Sequence, residues 1–526
     1  MTARSWSPDR AAKRIEARLN EVVDVEIKEY VRDTNLNGLG QGKAYRVHGV
    51  HLYVDILNMQ DLLGTTASEG ETSHKRTLRF LNLHFRAIHR ILGEIDAIEV
   101  DIHNQRLHAV IAKPYGDEAA RIHRAVAAGQ LIIEVLAQTG ESGDEIIPAA
   151  KVRVGIDSGV ALAVRNGRRG HSEPLFLGIP ANHAAKRAGG GSAEGIYLTN
   201  NARNVVGWPT VTSEDAVSLT ATQISQSGLA AALGVTASQI VRSWEKDLEA
   251  NPIGKFVFTG HTPPYANLDL ETLSPANSRR QDALSIYADI DGFTSYVAAH
   301  VNDDNDAEDV VRVLHVLRSE MDAVLTSDFG GRKVRFVGDC IHGGLVEGTA
   351  RTTEESETVS TGILCAGALR SSFNLALEKL EANSIDVAGL GLAIGFEFGP
   401  LSLTRLGVKG AMVRCAIGRC VINSEAEQRR CAGNQTAIGE TAKKKASVAA
   451  RDIFDSARKR AHLDYDTAVS ELAAKNDQTA KASLALTKAL KSGTAGAGLL
   501  QPAAAVASEY RFPPRSAVPS KPAGFA

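Results

Sequence analysis

The chain has 526 residues, of which 44% are hydrophobic and 23% charged, and its formal net charge is −2. This length predicts three to four domain-sized units. Because positive charge is not in excess, the composition does not indicate nucleic acid or an anionic membrane as a partner. The first ten residues lack the apolar core of a signal peptide, and no run reaches the length of a membrane span, so we expect a cytoplasmic protein.

The five cysteines all fall in the second half of the chain: Cys340, Cys365, Cys415, Cys420 and Cys431. Their number is odd, and no Cys-x-x-Cys pair occurs among them. This pattern disfavours both a disulfide framework and a zinc site. Reduced thiols are the expected state, which agrees with a cytoplasmic location.

The first part of the chain begins with an N-terminal segment, residues 1–45. Within it a polar helical pattern runs from Pro8 to Arg32. The stretch from Val47 to Ile56 is strand-like. The helix predicted after it carries apolar residues at spacings of three and four, which is typical of one face packed on a sheet: Leu78, Leu81, Phe85, Ile88 and Leu92.

Two short strand candidates, 97–102 and 107–112, and a helix over 117–138 lead to a further strand over 152–160. A Gly-x-Pro sequence at Gly178 then opens another helix. The order is strand, helix, hairpin, helix, strand pair and helix. It predicts an α/β fold of the α+β sandwich type.

The same order recurs from Leu284, which suggests an internal repeat. Two intervals match between the copies: 50 positions from Asp55 to Gln105 and from Asp289 to Asp339, and 23 positions from Gly155 to Gly178 and from Gly395 to Gly418. We therefore predict two copies of one fold, at residues 46–205 and 282–440, packed on each other as an intramolecular pseudo-dimer.

The connector between the copies, residues 206–281, contains a Leu-Gly-Val-Thr turn that is similar to the middle of a helix-turn-helix. An ordinary helical hairpin is the favoured interpretation, because the turn lacks a basic recognition face. Residues 441–526 are predicted to form a helical extension, with one or two amphipathic helices over 442–493, and a flexible, proline-containing tail.

The second copy places an aspartate where each of two apolar, strand-like runs ends. Asp289 closes one run and Asp339 follows a Val-Gly turn, so adjacent strands would bring both carboxylates to one point. Such hard oxygen ligands suit Mg²⁺ or Mn²⁺ bound to a phosphate substrate. Asp291 is either a third ligand or a residue that shapes the turn before Gly292.

These two motifs, Asp-Ile-Asp-Gly-Phe-Thr from Asp289 and Val-Gly-Asp ending at Asp339, resemble the metal-binding half of class III adenylate and guanylate cyclases. Members of that superfamily work as head-to-tail dimers. One partner supplies two metal-binding aspartates, and the other contacts the base, ribose and phosphates. The resemblance implies two divalent ions, Mn²⁺ or Mg²⁺, held by Asp289, Asp339 and the backbone carbonyl of Ile290.

The first copy lacks a complete metal pair, since it keeps Asp55 but has Gln105 at the second position. It does keep the superfamily's Gly-x-x-Val-Asn-x-Ala-x-Arg pattern, as residues 178–186. The resemblance implies that Asn182 orients the ribose and that Lys186 stabilises phosphate charge. Lysine stands where arginine is usual, with Arg187 beside it, so either cation could face the phosphates. The equivalent positions of the second copy hold Ile422 and Ala426.

The losses in the two copies are complementary, which predicts one complete site and one dead site. The base-contacting positions implied by the resemblance hold Asp101 and Leu175. Neither the Lys/Asp pair for adenine nor the Glu/Cys pair for guanine is present, so the base is not expected to be an ordinary purine. The arrangement around Asn182 and the segment 78–82 is also similar to the pyrimidine (uridylate or cytidylate) cyclases of Pycsar anti-phage systems.

The leading interpretation is an enzyme that converts UTP or CTP to its 3′,5′-cyclic monophosphate and pyrophosphate. The resemblance implies that this product acts as a second messenger for an effector in anti-phage defence. Two rivals stand beside it: an adenylate cyclase that makes cyclic AMP, and a degenerate cyclase-like module that binds nucleotide and regulates a partner. Whether two chains also form a homodimer is left open by the sequence.

Overall fold

The structure is a computed structural model, and it describes residues 4–491 except for residues 33, 35, 37–38, 65–68, 104, 142–145, 166–173, 261–264, 266–267, 350–351 and 409. The predicted flexible tail from Gly493 to Ala526 lies outside the described residues.

The chain opens with helix α1 (Pro8–Glu21) and a short strand, β1 (Glu26–Glu29), which runs parallel to the first strand of the first copy. The elements of that copy are β2 (Lys43–Ile56), α2 (Met59–Gly64), α3 (Glu71–Glu94), β3 (Ile98–His103), β4 (Arg106–Ile111), α4 (Glu118–Leu136), β5 (Val152–Arg165), β6 (Pro174–Leu177), α5 (Ile179–Gly189), β7 (Gly195–Leu198) and α6 (Asn200–Val205).

The connector contributes α7 (Ala221–Ala231), α8 (Ala237–Ala250) and the two-residue strand β8 (Phe258–Thr259). The second copy then repeats the pattern of the first. Its elements are β9 (Ser278–Asp291), α9 (Phe293–His300), α10 (Asp304–Ala323), β10 (Arg332–Val337), β11 (Cys340–Leu345), α11 (Glu355–Ala382), β12 (Gly391–Val408), β13 (Ala411–Ile417), α12 (Arg419–Arg429) and β14 (Gln435–Ile438).

Each copy has one sheet, and the two sheets share a strand order. The first runs β3-β4-β2-β5 and the second β10-β11-β9-β12. The last strand of each series then pairs antiparallel with the next strand of its hairpin, β6 or β13, and parallel with a short strand, β7 or β14. The central antiparallel pairs even share a register, since Tyr53 faces Gly155 in the first copy and Tyr287 faces Gly395 in the second. The repeat predicted from residue spacing is therefore confirmed as two copies of one α/β fold.

The two copies exchange the ends of their long hairpins. Apolar residues of β5 and β6, including Leu162 and Leu177, are buried in the core of the second copy. Residues of β12 and β13, including Leu406 and Ile417, are buried in the core of the first. Because apolar burial is the main favourable term in folding, this exchange holds the copies together as an intramolecular pseudo-dimer.

A glycine on the central strand of each copy allows a helix to lie directly on the sheet. A Cβ atom on Gly155 would clash with the carbonyl oxygen of Ala184 and the amide nitrogen of Ala188, both in α5. Gly395 stands in the same relation to the backbone of Gln428 in α12. The equal spacings of 23 positions therefore reflect a shared packing requirement.

The connector helices pack as the favoured interpretation expected. Ile240 and Trp244 of α8 are buried, and the indole N–H of Trp244 donates to the carbonyl of Leu83 at 3.1 Å. The apolar face of this hairpin is thus used against α3. This packing agrees with an ordinary helical hairpin in the connector, which stays the favoured interpretation.

Two helix predictions were wrong. The helix predicted from Pro8 to Arg32 ends at Glu21, because the chain after it turns and pairs residues Glu26–Glu29 as β1 against β2. The stretch predicted as one or two helices forms four instead, because Ser447 and Asp464 cap new helix starts. The four helices and the intervening edge strand are α13 (Glu440–Lys445), α14 (Val448–Arg451), β15 (Lys459–Ala461), α15 (Tyr465–Ala474) and α16 (Gln478–Lys491).

In the part of the chain that the structure describes, we find no helix with both the length and the apolar character needed to cross a membrane.

The close approach of α5 to the sheet gives a stability prediction. Gly155→Ala should lower the free energy of unfolding by about 2–3 kcal/mol, because the added methyl group forces α5 away from β5. Gly93→Ala is the matched control, since no atom lies within 4 Å of a Cβ at this exposed helical position. Chemical denaturation of both variants checks this, and an equal effect of the two changes would contradict it.

Candidate active site

Asp289 and Asp339 are brought together by adjacent strands. Asp289 lies near the end of β9, and β11 pairs with β9 so that Ile341 faces Ala288. Val337 pairs with Cys340, which leaves Gly338 and Asp339 as the two central residues of a tight hairpin. Gly338 has a φ of 62°, a left-handed conformation that glycine adopts readily. The turn therefore presents Asp339 beside the end of β9.

The two carboxylates share a buried, electrostatically unfavourable environment. Burial and the nearby Asp291 raise the pKa of Asp289, against hydrogen bonds from the Cys340 thiol and the Gln428 amide. Burial and the charge of Asp289 raise the pKa of Asp339 well above its usual range, against a hydrogen bond from the backbone N–H of Ile290. A bound cation would relieve this repulsion, so the donor set fits a hard divalent ion.

A cavity of about 220 Å³ lies between the two copies, next to Asp339. The first copy lines it with Asp101, Leu175 and Asn182, and the second with Thr294 and Asp339. Residues predicted from the two separate halves of the resemblance thus meet at one cavity. We call it the interdomain cavity.

A second cavity, of about 350 Å³, is lined by Asp289, Asp291 and Glu425. His103, Arg106 and Val337 line both cavities. Asp289 and Asp339 thus face two neighbouring spaces that share a wall, and Arg106 is a cation common to both.

One wall of the interdomain cavity is aromatic and was not predicted. The ring of Tyr53 stacks on His108, with centroids 4.1 Å apart, and Nε2 of His108 lies 3.0 Å from Nδ1 of His51. Burial lowers the pKa of His51 to about 3 and that of His108 well below its usual range, so both rings are neutral. The strand pattern could have revealed this wall, because side chains two residues apart on a strand lie on the same face of the sheet and Tyr53 is two residues before Asp55.

The two predicted phosphate cations differ in their surroundings. Lys186 is exposed on α5 and is not among the described residues that line either cavity. Arg187 forms ion pairs with Glu214, at 2.5 Å, and Asp215, at 3.1 Å. Arg187 is therefore committed to the connector, which leaves Lys186 and the unpredicted Arg106 as the candidates.

In the first copy, protein groups surround Asp55, the residue equivalent to Asp289 of the second copy. The Gln105 amide donates to Asp55 at 2.8 Å, and Nε of Arg106 lies 3.5 Å from the other carboxylate oxygen. Arg106 also reaches Glu425 of α12 at 3.4 Å. An amide and a guanidinium thus surround Asp55, in the positions where the second copy has Asp339 and Cys340.

Comparison with known proteins shows where the chain belongs. No protein-family model matches it. A uridylate cyclase from Pseudomonas aeruginosa is 54% identical over 483 residues, which cover 91% of this chain and 93% of that protein. A uridylate cyclase from a Rhizobium species is 40% identical over 433 residues, covering 78% of this chain and 81% of that protein. The chain belongs to the uridylate cyclase family.

The fold of this member of the uridylate cyclase family is also similar to that of a solved structure. It is described as a class III adenylyl cyclase-like ATP-binding protein from Pseudomonas aeruginosa, and it matches with a TM-score of 0.87 and 54% identity. The match covers 89% of this chain and all of that chain. The predicted resemblance to class III cyclases, with pyrimidine cyclases as relatives, is confirmed at the level of the family.

The carboxylate pair gives a prediction about metal binding. Saturating Mn²⁺ should raise the melting temperature of the wild-type protein by about 2 °C or more, because the ion binds the native state. Asp339→Asn should abolish that increase, although it should raise the melting temperature without metal by removing like-charge repulsion. Asp55→Asn is the matched control and should keep the increase. Loss of the Mn²⁺ effect in both variants would contradict a metal site confined to the second copy.

Proposed function

We propose that the chain converts UTP to 3′,5′-cyclic UMP and pyrophosphate at a single composite site. The observation that carries this proposal is the interdomain cavity, where Asp101 and Asn182 of the first copy face Asp339 of the second. The choice of UTP is supported by the two relatives named uridylate cyclase.

In this proposal Asp289, Asp339 and the backbone carbonyl of Ile290 would hold two divalent ions, Mg²⁺ or Mn²⁺. When bound there, these ions would lower the pKa of the ribose 3′-hydroxyl and neutralise charge on the triphosphate. Asn182 orients the ribose from α5. The 3′-oxygen attacks the α-phosphorus, the bond from that phosphorus to the bridging oxygen breaks, and pyrophosphate leaves while the 3′-proton is released.

Three features of the chain would stabilise the phosphates. Arg106 supplies a guanidinium at the wall shared by the two cavities, and Lys186, which is exposed on α5, would supply an ammonium from outside them. The N-terminus of α9 reaches the cavity through Phe293 and Thr294, and a helix start favours anions. Together these groups would hold the triphosphate and offset the charge that develops during transfer.

ATP is the second candidate substrate, and one observation favours it. The similar solved structure is described as that of an ATP-binding protein. Against ATP, the base-contacting positions hold Asp101 and Leu175 rather than the Lys/Asp pair of adenine-specific relatives. A purely regulatory, non-enzymatic module is disfavoured because the carboxylate pair of Asp289 and Asp339 is intact.

The wider role proposed here follows from the resemblance to Pycsar cyclases. Cyclic UMP would act as a second messenger in anti-phage defence, and a separate effector protein would bind it. The cytoplasmic location stays a prediction, and a homodimer on top of the internal pairing is the alternative that the sequence left open.

The substrate is tested by incubating the purified protein with UTP, CTP, ATP or GTP and Mn²⁺, and by identifying products with mass spectrometry. We expect cyclic UMP and pyrophosphate from UTP, with at least about tenfold less product from each other nucleotide. Cyclic AMP as the sole product would favour the adenylate cyclase alternative. No product from any nucleotide would favour the regulatory module.

The one-live-site arrangement is tested with paired variants. Asp339→Ala should lower kcat by about 1,000-fold or more, since a metal ligand is lost. Asp55→Ala should keep at least about a tenth of wild-type kcat, because Asp55 contacts Gln105 and Arg106 and is not among the described residues that line either cavity. Circular dichroism should show that both variants fold. Equal loss of turnover in the two would contradict the arrangement.

A further inference from the structure

An ion pair joins the base-contacting positions of the two half-sites. Asp101 lies four residues before Gln105, and Arg335 lies four residues before Asp339, so the two are equivalent positions of the repeat. Nη1 of Arg335 lies 3.3 Å from Oδ1 of Asp101. Their side chains are only 4% and 16% exposed, which makes this a mostly desolvated contact.

The guanidinium of Arg335 is fixed from both copies. It donates to the main-chain carbonyl of Ile102 in the first copy and to that of Arg414 in the second. A planar, multiply bonded guanidinium is a rigid partner, so it restrains the direction of the Asp101 carboxylate. Arg335 thus occupies the base-contacting position of the half-site proposed to be inactive. Its side chain contacts Asp101, the equivalent residue of the half-site proposed to be active.

Asp101 lines the interdomain cavity, so its carboxylate borders the space available to a base. An ionised carboxylate is only a hydrogen-bond acceptor. Uracil presents a donor at N3, between two carbonyl groups, whereas neutral cytosine presents a lone pair there. A carboxylate held opposite N3 therefore attracts the N3–H of uracil and repels N3 of cytosine, and cytosine would have to shift to offer its N4 amino group instead.

We propose that Asp101 accepts the N3–H of uracil and that Arg335 is a positioning residue that holds Asp101 for this contact. Together they select UTP over CTP. This inference rests on the proposed function and adds a reason for the choice of pyrimidine. The half-site proposed to be inactive thus contributes to binding, because Arg335 at its base-contacting position orients the Asp101 carboxylate of the other half-site.

The wild-type protein provides the first test, which needs no variant. N3-methyl-UTP lacks the donor, whereas 5-methyl-UTP keeps the donor and carries an equally large addition elsewhere. We expect kcat/KM for N3-methyl-UTP and for CTP to be at least about 100-fold below that for UTP, because a buried acceptor is left without its partner. The loss for 5-methyl-UTP should be smaller than about tenfold.

Variants provide the second test, read as the ratio of kcat/KM for UTP to kcat/KM for CTP. Asp101→Asn should lower this ratio at least about 100-fold, since an amide can donate to N3 of cytosine. Arg335→Gln should lower it about tenfold, and Arg335→Lys should restore part of it. A purely structural role for either residue would lower both kcat/KM values together and leave the ratio unchanged.

Glu99→Gln is the matched control, because Glu99 is another β3 carboxylate, paired with His89 at 2.8 Å and not among the residues that line the cavity. Its ratio should equal that of the wild type. The inference is overturned if wild-type enzyme turns over N3-methyl-UTP as well as 5-methyl-UTP, or if Asp101→Asn and Arg335→Gln leave the ratio unchanged. Absence of cyclic UMP from UTP with the wild type would instead overturn the proposed function itself.

Discussion

The reciprocal burial of hairpin ends is the interaction on which the candidate site depends. The β5–β6 hairpin enters the core of the second copy, and the β12–β13 hairpin enters the core of the first. The backbone N–H of Gly407, near the tip of β12, also donates to the Asn82 side chain at 2.9 Å. Because these contacts fix the two sheets relative to each other, Asn182 and Asp339 meet at one cavity without a second chain.

A fixed pairing within one chain lets the two half-sites diverge independently. In a symmetric homodimer every substitution affects both sites, whereas here each copy can change alone. In the proposed arrangement, protein groups fill the half-site that lacks a metal pair. Gln105 and Arg106 surround Asp55, and Arg335, at the repeat position equivalent to Asp101, contacts Asp101. Arg106 lines both cavities and Arg335 contacts Asp101, so side chains of the half-site proposed to be inactive border the one proposed to be active.

The sequence predicted those parts of the fold and site that depend on local motifs. The repeat, the aspartate pair and the Asn182 motif follow from short patterns and spacings, because strand register and tight turns fix where these residues fall. The Asp101–Arg335 pair, the Tyr53–His108 wall and the placement of Arg106 depend on packing between the copies, and no local pattern encodes them. Tertiary pairing also shortened the first helix, because the chain after Glu21 forms a strand against β2.

The central claim is that one chain contains the complete site, and a complementation experiment tests it most directly. Asp339→Ala removes the metal side and Asn182→Ala removes the ribose side, so neither variant should make cyclic UMP at the wild-type rate. The two variants are co-expressed, purified together and assayed with UTP and Mn²⁺. The account predicts no activity above the sum of the two separate variants, because no chain carries both residues. Recovery to a substantial fraction of wild-type activity would contradict it, since that requires a site formed between chains.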